Sequence, residues 1–225
     1  MNISHLLANL QINGICYLGA IPQKEKFVQV DLGENLVGEN DESFAHIASS
    51  LIENIEKNST VLVTSPTISS GKTYSAANLA LALSKKNRIG LMDLDLRLPA
   101  IKTYLSLPNS QMDFEPFSYN SNLDVFYNTK NHEDPTKFLE STQLGKFITE
   151  KKYNYDYLIM DSPPLLEVHD ATLLAQKSDA VLLVLRFDEP GLKNIPQFRQ
   201  RLFHSHPKPT FAVLNGVEKT RRRSA

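Results

Sequence analysis

Short apolar runs alternate with helical patterns along most of the chain. Runs typical of buried strands lie at 61–63, 89–92, 123–127, 157–160, 180–185 and 211–214. The segments between them predict helices over 73–83, 136–151, 169–176 and 195–203. Strands joined through helices need crossover connections. The pattern therefore predicts an α/β fold with a mainly parallel sheet and helices on both faces.

The first part of the chain is less regular. One face of a short helix can be lined by Leu6, Leu7 and Leu10, and residues 15–21 predict a short strand that Pro22 stops. Residues 31–42 contain glycines and several acids, which is typical of a linker. From Asp41, a possible cap, apolar residues again recur at helical spacing. We therefore divide the chain into an N-terminal extension and linker (1–40), a main domain (41–217) and a basic tail (218–225).

Composition narrows the class of protein. The 225 residues are 41% hydrophobic and 22% charged, which suits one sizeable globular domain with an extension. The single cysteine, Cys16, permits no internal disulfide and fits a reducing compartment. The net charge of -1 gives no general attraction to nucleic acid, so no nucleic-acid partner is expected. No apolar run reaches the roughly 20 residues of a membrane span, and the N-terminus lacks a signal-peptide pattern. We expect a cytoplasmic protein.

A candidate phosphate loop follows the strand at 61–63. Residues 61–73 read Val-Leu-Val-Thr-Ser-Pro-Thr-Ile-Ser-Ser-Gly-Lys-Thr and pass from strand through loop to helix. The unpaired N–H groups at a helix start attract phosphate. Lys72 would reach the outer phosphates, the Thr73 hydroxyl would ligate Mg²⁺, and Gly71 would let the backbone approach the anion. The alternative is a helix start that merely happens to read Gly-Lys-Thr.

The loop departs from the usual glycine-rich pattern. Pro66 stands six positions before the lysine, where glycine is usual, and Ser69 and Ser70 occupy positions where glycine or small residues are common. Proline donates no N–H, and a residue other than glycine at positive φ costs about 1–2 kcal/mol. We therefore expect weaker nucleotide affinity than in a glycine-rich loop.

Three acids lie where predicted strands end. Asp93 and Asp95 follow the strand at 89–92, and Asp161 ends the strand at 157–160. Ligands of parallel sheets bind at this edge. Thr73 and Asp161 offer the oxygen ligands that Mg²⁺ prefers, which leaves Asp93 or Asp95 as a general base or water-holding group. The alternative is that these acids are turn formers and helix caps. Arg97 is read equally well as a phosphate contact or a solvated side chain.

These segments resemble the cytoplasmic kinase domain of the bacterial tyrosine kinases (BY-kinases) of capsule and exopolysaccharide assembly. Residues 64–73 look like the first family motif, and residues 92–99 (Met-Asp-Leu-Asp-Leu-Arg-Leu-Pro) look like the second. Residues 161–171, which include a second aspartate, Asp170, look like the third. The closing strand, 212–215, and the stretch 17–22 are also similar.

The resemblance implies ATP and Mg²⁺ as cofactors. It also implies a membrane-embedded polysaccharide chain-length regulator (co-polymerase) as partner, a position at the inner face of the bacterial membrane through that partner, and homo-oligomerisation. Its implied nucleotide-binding residues are Ser69, Ser70, Gly71, Lys72, Thr73 and Asn215, with Asn215 near the adenine. The metal residues are Thr73, Asp161 and Asp93, and the catalytic residues are Lys72, Asp93 and Asp95, with Asp93 as candidate base.

Departures from the family leave three functions open. Residues 215–225 contain no tyrosine, whereas family tails are tyrosine-rich. The family's ring-forming glutamate and two arginines correspond here to Glu42, Ala45 and Ala48. The first hypothesis is an ATP-dependent tyrosine kinase that regulates polysaccharide polymerisation and export. The second is a non-catalytic, ATP-responsive regulatory subunit of the same machinery. The third is a MinD/ParA-like positioning ATPase, although Thr67 replaces the second lysine of that class.

Overall fold

The structure is a computed structural model that describes residues 3–23, 42–110, 112–128, 132–187, 195–202 and 208–217. Three sequence predictions fall wholly or mostly outside these ranges: the Asp41 cap, the linker at 31–42 and the basic tail at 218–225. No helix within the described ranges is long and apolar enough to cross a membrane.

Helices and strands alternate along most of the chain. The helices are α1 (Ile3–Ile12), α2 (Glu42–Ile52), α3 (Lys72–Ser84), α4 (Ile101–Tyr104), α5 (Pro135–Glu140), α6 (Thr142–Lys152), α7 (Asp170–Gln176) and α8 (Ile195–Leu202). The strands are β1 (Cys16–Pro22), β2 (Ser59–Thr64), β3 (Ile89–Asp93), β4 (Pro116–Asn120), β5 (Leu123–Phe126), β6 (Tyr157–Asp161), β7 (Ala180–Arg186) and β8 (Thr210–Val217). The alternation is broken where β4 is followed by β5 and α5 by α6.

The strands within the described ranges form one sheet in the order β1-β8-β7-β2-β6-β3-β5-β4. Every neighbouring pair is parallel except β4 and β5, which are antiparallel. The central strands are buried on both faces, and successive residues enter opposite cores. Val61 and Val63 belong to one apolar cluster with α2 and α3, whereas Leu62 joins the other with α1, α6, α7 and α8. The predicted α/β fold, with a mainly parallel sheet between two helical layers, is confirmed.

The structure corrects several local predictions. The single helix predicted over 136–151 is two helices, because Ser141 is extended (φ -60°, ψ 142°) and its hydroxyl caps α6. Pro22 does not stop β1 but is its last residue, which an edge strand tolerates. The helical pattern from position 41 corresponds to α2, which ends at Ile52. The short helix α4 and the half-exposed strand β4 were not predicted.

The sheet brings the predicted motifs to one edge. Strand β6 lies between β2 and β3, and the last residues of β3 and β6 are register partners, Asp93 opposite Asp161. Because all three strands run parallel, the loops that follow them meet at their carboxyl ends.

Candidate functional site

The loop between β2 and α3 contains two residues with left-handed backbone geometry. Gly71, directly before α3, has φ 89°, and a Cβ atom there would lie 2.1 Å from the Asn215 Nδ2 atom. The positive φ therefore favours glycine at this position, and a larger residue would also have to displace the Asn215 amide. Ser69 has φ 60°, so the loop does contain a residue other than glycine at positive φ.

Side-chain hydrogen bonds hold this loop in place, although it lacks the usual glycines. The Ser65 and Ser70 hydroxyls both donate to the Thr67 carbonyl, at 2.7 and 3.0 Å. Asn215, near the end of β8, donates its Nδ2 hydrogen to the Ser70 carbonyl at 2.9 Å. The structure thus places Asn215 against the loop, on the side of the sheet where β7 and β8 lie.

Lys72, the first residue of α3, is paired with one of the strand-end acids. Its Nζ atom lies 2.9 Å from the Asp95 Oδ2 atom, and the two side chains are 15% and 2% exposed. Burial opposes the charge on Lys72, but Asp161, Asp95 and Asp93 together outweigh it and raise the pKa of the amine. The Asp95 Oδ1 atom accepts the Leu98 N–H at 3.2 Å. Lys72 is therefore a charged group at the helix start, held by a partner that an anionic ligand could replace.

Asp93 is surrounded by backbone donors. Its Oδ1 atom accepts the Asp95 N–H at 3.3 Å, and its Oδ2 atom accepts the N–H groups of Ala100 and Ile101, both at 3.0 Å. Burial raises the pKa of Asp93 to about 7, although the Ile101 N–H acts in the opposite direction. This carboxyl group organises the segment that leads into α4.

Asp161 has a different environment. The Thr73 hydroxyl donates to its Oδ2 atom at 2.6 Å, while its buried Oδ1 atom has no hydrogen-bond partner among the described residues. Burial raises the pKa of Asp161 to about 8; Lys72 opposes this shift and Asp93 adds to it. A buried carboxylate oxygen that has no hydrogen-bond donor lowers the stability of the fold unless a ligand coordinates it.

Asp161 and Thr73 fit a magnesium ion. Both offer hard oxygen atoms, and Mg²⁺ commonly uses one or two carboxylates together with phosphate oxygens and water. Within the described part of the chain, no group of three or more His, Cys, Asp and Glu residues forms a metal cluster. One carboxylate and one hydroxyl are the kind of donors that hold a Mg²⁺ ion whose other ligands are phosphate oxygens and water.

Arg97 is not a freely solvated side chain, and its hydrogen bonds within the described residues go to partners outside the phosphate loop. Its guanidinium donates to both carboxylate oxygens of Asp170, at 2.7 and 3.3 Å, and to the Thr136 hydroxyl at 2.9 Å. The ion pair ties the segment after β3 to the start of α7. Sequence reasoning noted Asp170 as a motif residue but did not identify its partner, because the pairing joins segments far apart in sequence.

A second set of contacts joins residues 165–167 to the phosphate loop. The N–H groups of Leu165 and Leu166 donate to the Ser65 and Pro66 carbonyls, at 2.8 and 3.1 Å. The carbonyls of the same two leucines accept from Arg201 Nη1 of α8, at 3.0 and 2.9 Å. Next in the chain, Glu167 accepts the Ile68 N–H through its Oε1 atom at 3.0 Å. Sequence reasoning missed Arg201 and Glu167, since neither stands in a motif position with an assigned role.

No family model matches the chain, but several known proteins are similar to it. The tyrosine-protein kinase YwqD of Bacillus subtilis is 28% identical over 169 residues, covering 69% of this chain and 71% of the relative. The tyrosine-protein kinase ptk of Acinetobacter johnsonii is 23% identical over 177 residues, which cover 73% of this chain. The match spans only about a quarter (24%) of that relative's length.

Solved structures show the same fold. The kinase domain of the Escherichia coli tyrosine kinase ETK superimposes with a TM-score of 0.80 at 24% identity, covering 96% of this chain and 95% of that one. The ATP complex of a variant of Cyanothece McdA superimposes less closely, with a TM-score of 0.57 at 16% identity over 74% of this chain and 75% of that one. The fold is therefore that of a P-loop α/β domain. Among curated proteins, the chain is similar to bacterial tyrosine-protein kinases, which confirms the resemblance seen in its motifs.

Proposed function

We propose that this chain binds Mg-ATP at the loop between β2 and α3 and serves as a tyrosine-kinase-like regulator of exopolysaccharide or capsule polymerisation and export. One observation carries the proposal. The buried carboxylate of Asp161 accepts a hydrogen bond from Thr73 at the start of α3, while its Oδ1 atom has no partner among the described residues. The names of the relatives, which are tyrosine-protein kinases, support the chemical class.

Each site residue has a role in this proposal. The loop from Ser69 to Gly71 and the first N–H groups of α3 would hold the phosphates. Lys72 would leave Asp95 and neutralise the outer phosphates. Thr73 and Asp161 would hold the magnesium ion, whose chemistry is to neutralise charge that develops on the transferred phosphoryl group. Asn215, beside Ser70, would lie on the adenine side.

The geometry favours Asp95 over Asp93 as the general base. Asp93 accepts three backbone N–H groups, so both of its oxygens are already engaged. Within the described part of the chain, the Oδ2 atom of Asp95 is held by Lys72, and that atom would become available when Lys72 turns to phosphate. Asp95 would then accept the phenolic proton of a tyrosine. The phenolic oxygen of that tyrosine would attack the γ-phosphorus, and ADP would leave. Asp93 would act by fixing the segment that carries Asp95.

The acceptor tyrosine would come from another molecule. Tyr153 is 69% exposed, whereas Tyr155 and Tyr157 are buried. Tyr153 lies before β6 and Asp161 ends that strand, so the tyrosine is at the edge of the sheet opposite the phosphate loop. A non-catalytic regulatory subunit is the second candidate, and the alanines at positions 45 and 48 of α2, in place of the family's arginines, favour it.

One assay separates these functions. The protein is incubated with labelled ATP and Mg²⁺, and phosphate is followed onto tyrosine and into solution, with Lys72→Met as the matched inactive variant. Phosphotyrosine lost in Lys72→Met supports the kinase, and ATP binding without transfer supports the regulatory subunit. Steady release of free phosphate that DNA or lipid stimulates would support the positioning ATPase. No Mg-dependent affinity for ATP or ADP at millimolar concentration would overturn the proposal.

The partner and location belong to the same proposal. A membrane-embedded polysaccharide chain-length regulator would hold this chain, as a homo-oligomer, at the inner face of the bacterial membrane. Co-purification of the two proteins should then depend on nucleotide and weaken in Lys72→Met. Equal association with and without ATP would argue against a nucleotide-controlled partnership.

A further inference from the structure

Glu167 places a carboxylate directly on the phosphate loop. Its Oε1 atom lies 3.0 Å from the backbone nitrogen of Ile68, four positions before Lys72. Backbone N–H groups of such loops are the donors that cradle phosphate. One of these donors is therefore already occupied by an anion that belongs to the chain itself.

The position of Glu167 is fixed by its neighbours. Leu165 and Leu166 donate their N–H groups to the Ser65 and Pro66 carbonyls, so this segment runs alongside the first half of the loop. Arg201 holds the carbonyls of the same two leucines from the other side. The side chain of Glu167 is exposed and can rotate away, but its backbone is held next to the loop.

The proposed function assigns the two ends of a nucleotide to two sides of the loop. Asn215 contacts the loop from the β8 side, and Asp161 with Thr73 lies on the β6 side. In the proposed function the adenine is near Asn215, and the metal and outer phosphates are near Asp161. We assign Glu167 to the outer-phosphate end because the Ile68 N–H that it occupies belongs to the loop that leads to Lys72. The acids Asp93, Asp95 and Asp161 already act electrostatically on Lys72.

We infer that Glu167 is a tethered anion that competes with the outermost phosphate for the Ile68 N–H and so biases the site against ATP relative to ADP. This inference rests on the proposed function. The γ-phosphate adds charge at the end of the phosphate tail nearest Glu167, so like-charge repulsion acts on ATP more than on ADP. ATP binding then requires the Glu167 side chain to leave the loop, and anything that draws it away raises ATP affinity.

The test compares Mg-ATP and Mg-ADP affinities, by direct titration, in the wild type and three variants. Glu167→Gln keeps an oxygen that can accept the Ile68 N–H but removes the charge, and Glu167→Ala removes both. Glu150→Gln, on the exposed surface of α6, is the matched control because α6 ends near the start of β6, away from the loop. We expect both Glu167 variants to bind ATP about threefold to fivefold more tightly, with a smaller change for ADP and none in Glu150→Gln. High ionic strength should reduce the difference.

Three results would overturn the inference. If Glu167→Gln matches the wild type and Glu167→Ala binds ATP more weakly, the carboxylate supports the loop rather than competing with phosphate. If the wild type binds both nucleotides and no variant changes the ratio of their affinities, Glu167 does not sense the outer phosphate, yet nucleotide binding itself stands. Failure of every protein, the wild type included, to bind either nucleotide would instead overturn the proposed function and this inference with it.

Discussion

The ends of β3 and β6 carry equivalent residues in contrasting environments. Asp93 and Asp161 are register partners on adjacent strands, and both are fully buried. Asp93 receives three backbone N–H groups, whereas Asp161 receives one hydroxyl and keeps one oxygen without a partner among the described residues. Equal position and burial therefore do not give equal environments. Asp93 is fully hydrogen-bonded by the protein, whereas Asp161 keeps one oxygen at which we propose that the metal ion binds.

The largest effect on stability should come from replacing Asp93, whose carboxyl group accepts three backbone N–H groups. Asp93→Ala leaves three N–H groups without their acceptor at the entry to α4, so we expect a loss of about 3 kcal/mol in the free energy of unfolding without ligand. Denaturant unfolding measures this loss. Asp93→Asn, which keeps one acceptor oxygen, should fall between alanine and the wild type. Wild-type stability in Asp93→Ala would mean that these hydrogen bonds do not hold the segment.

The matching change on β6 should affect ligand binding instead. Asp161→Asn removes a buried charge close to Asp93, so the unfolding free energy without ligand should stay the same or rise by up to about 1 kcal/mol. Loss of the metal oxygen should weaken Mg-dependent ATP affinity roughly tenfold to hundredfold. Calorimetric titration with and without Mg²⁺ provides the measurement. A loss of stability as large as that of Asp93→Ala would erase the contrast between the two acids.

The pH dependence should distinguish folding from binding. The pKa values of both acids are raised from 3.8, to about 7 for Asp93 and about 8 for Asp161. Between the ordinary and raised values the folded state binds more protons than the unfolded state, so stability without ligand should fall as pH rises through this window. Mg²⁺ needs the deprotonated carboxylate, so Mg-ATP affinity should rise over the upper part of the same window, by at most about tenfold per pH unit for one released proton. Asp161→Asn should flatten that rise, and an unchanged slope would exclude Asp161 as the titrating group.

The smallest effect concerns the Arg97–Asp170 ion pair, which joins the motif at 92–99 to the motif at 161–171. Arg97→Lys keeps the charge opposite Asp170 but loses the bidentate geometry and the bond to Thr136. Because the Arg97 side chain is 41% exposed, we expect a loss of only about 1 kcal/mol in unfolding free energy. Thermal unfolding of Arg97→Lys beside Lys102→Arg, a control on α4, measures it. If Arg97→Lys melted at the same temperature as the wild type, the bidentate contact of Arg97 with Asp170 would contribute nothing to stability.

Local pattern predicted much of the fold because buried parallel strands leave a strong signal. The apolar runs at 61–63, 89–92 and 157–160 all lie within observed strands. The misses occur where the signal is weak. Strand β4 alternates only between exposed and half-buried residues, and the single turn of α4 begins where the Asp93 carboxylate accepts the Ile101 N–H. Ser141 interrupts a helical pattern through its own cap, a signal that the apolar spacing alone does not reveal.

The candidate site divides in the same way. The sequence by itself predicted that Lys72, Thr73, Asp93, Asp95 and Asp161 lie near the carboxyl ends of parallel strands, where ligands of such sheets bind. The strand order, with β6 between β2 and β3, came from the tertiary structure. Only the tertiary structure decided which acid pairs with Lys72, which is satisfied by N–H groups, and which retains an open oxygen. It also decided that Arg97, Arg201 and Glu167 reach neighbouring segments. Such partnerships depend on distances of a few ångströms between residues far apart in the chain, and a periodic pattern carries no information about those distances.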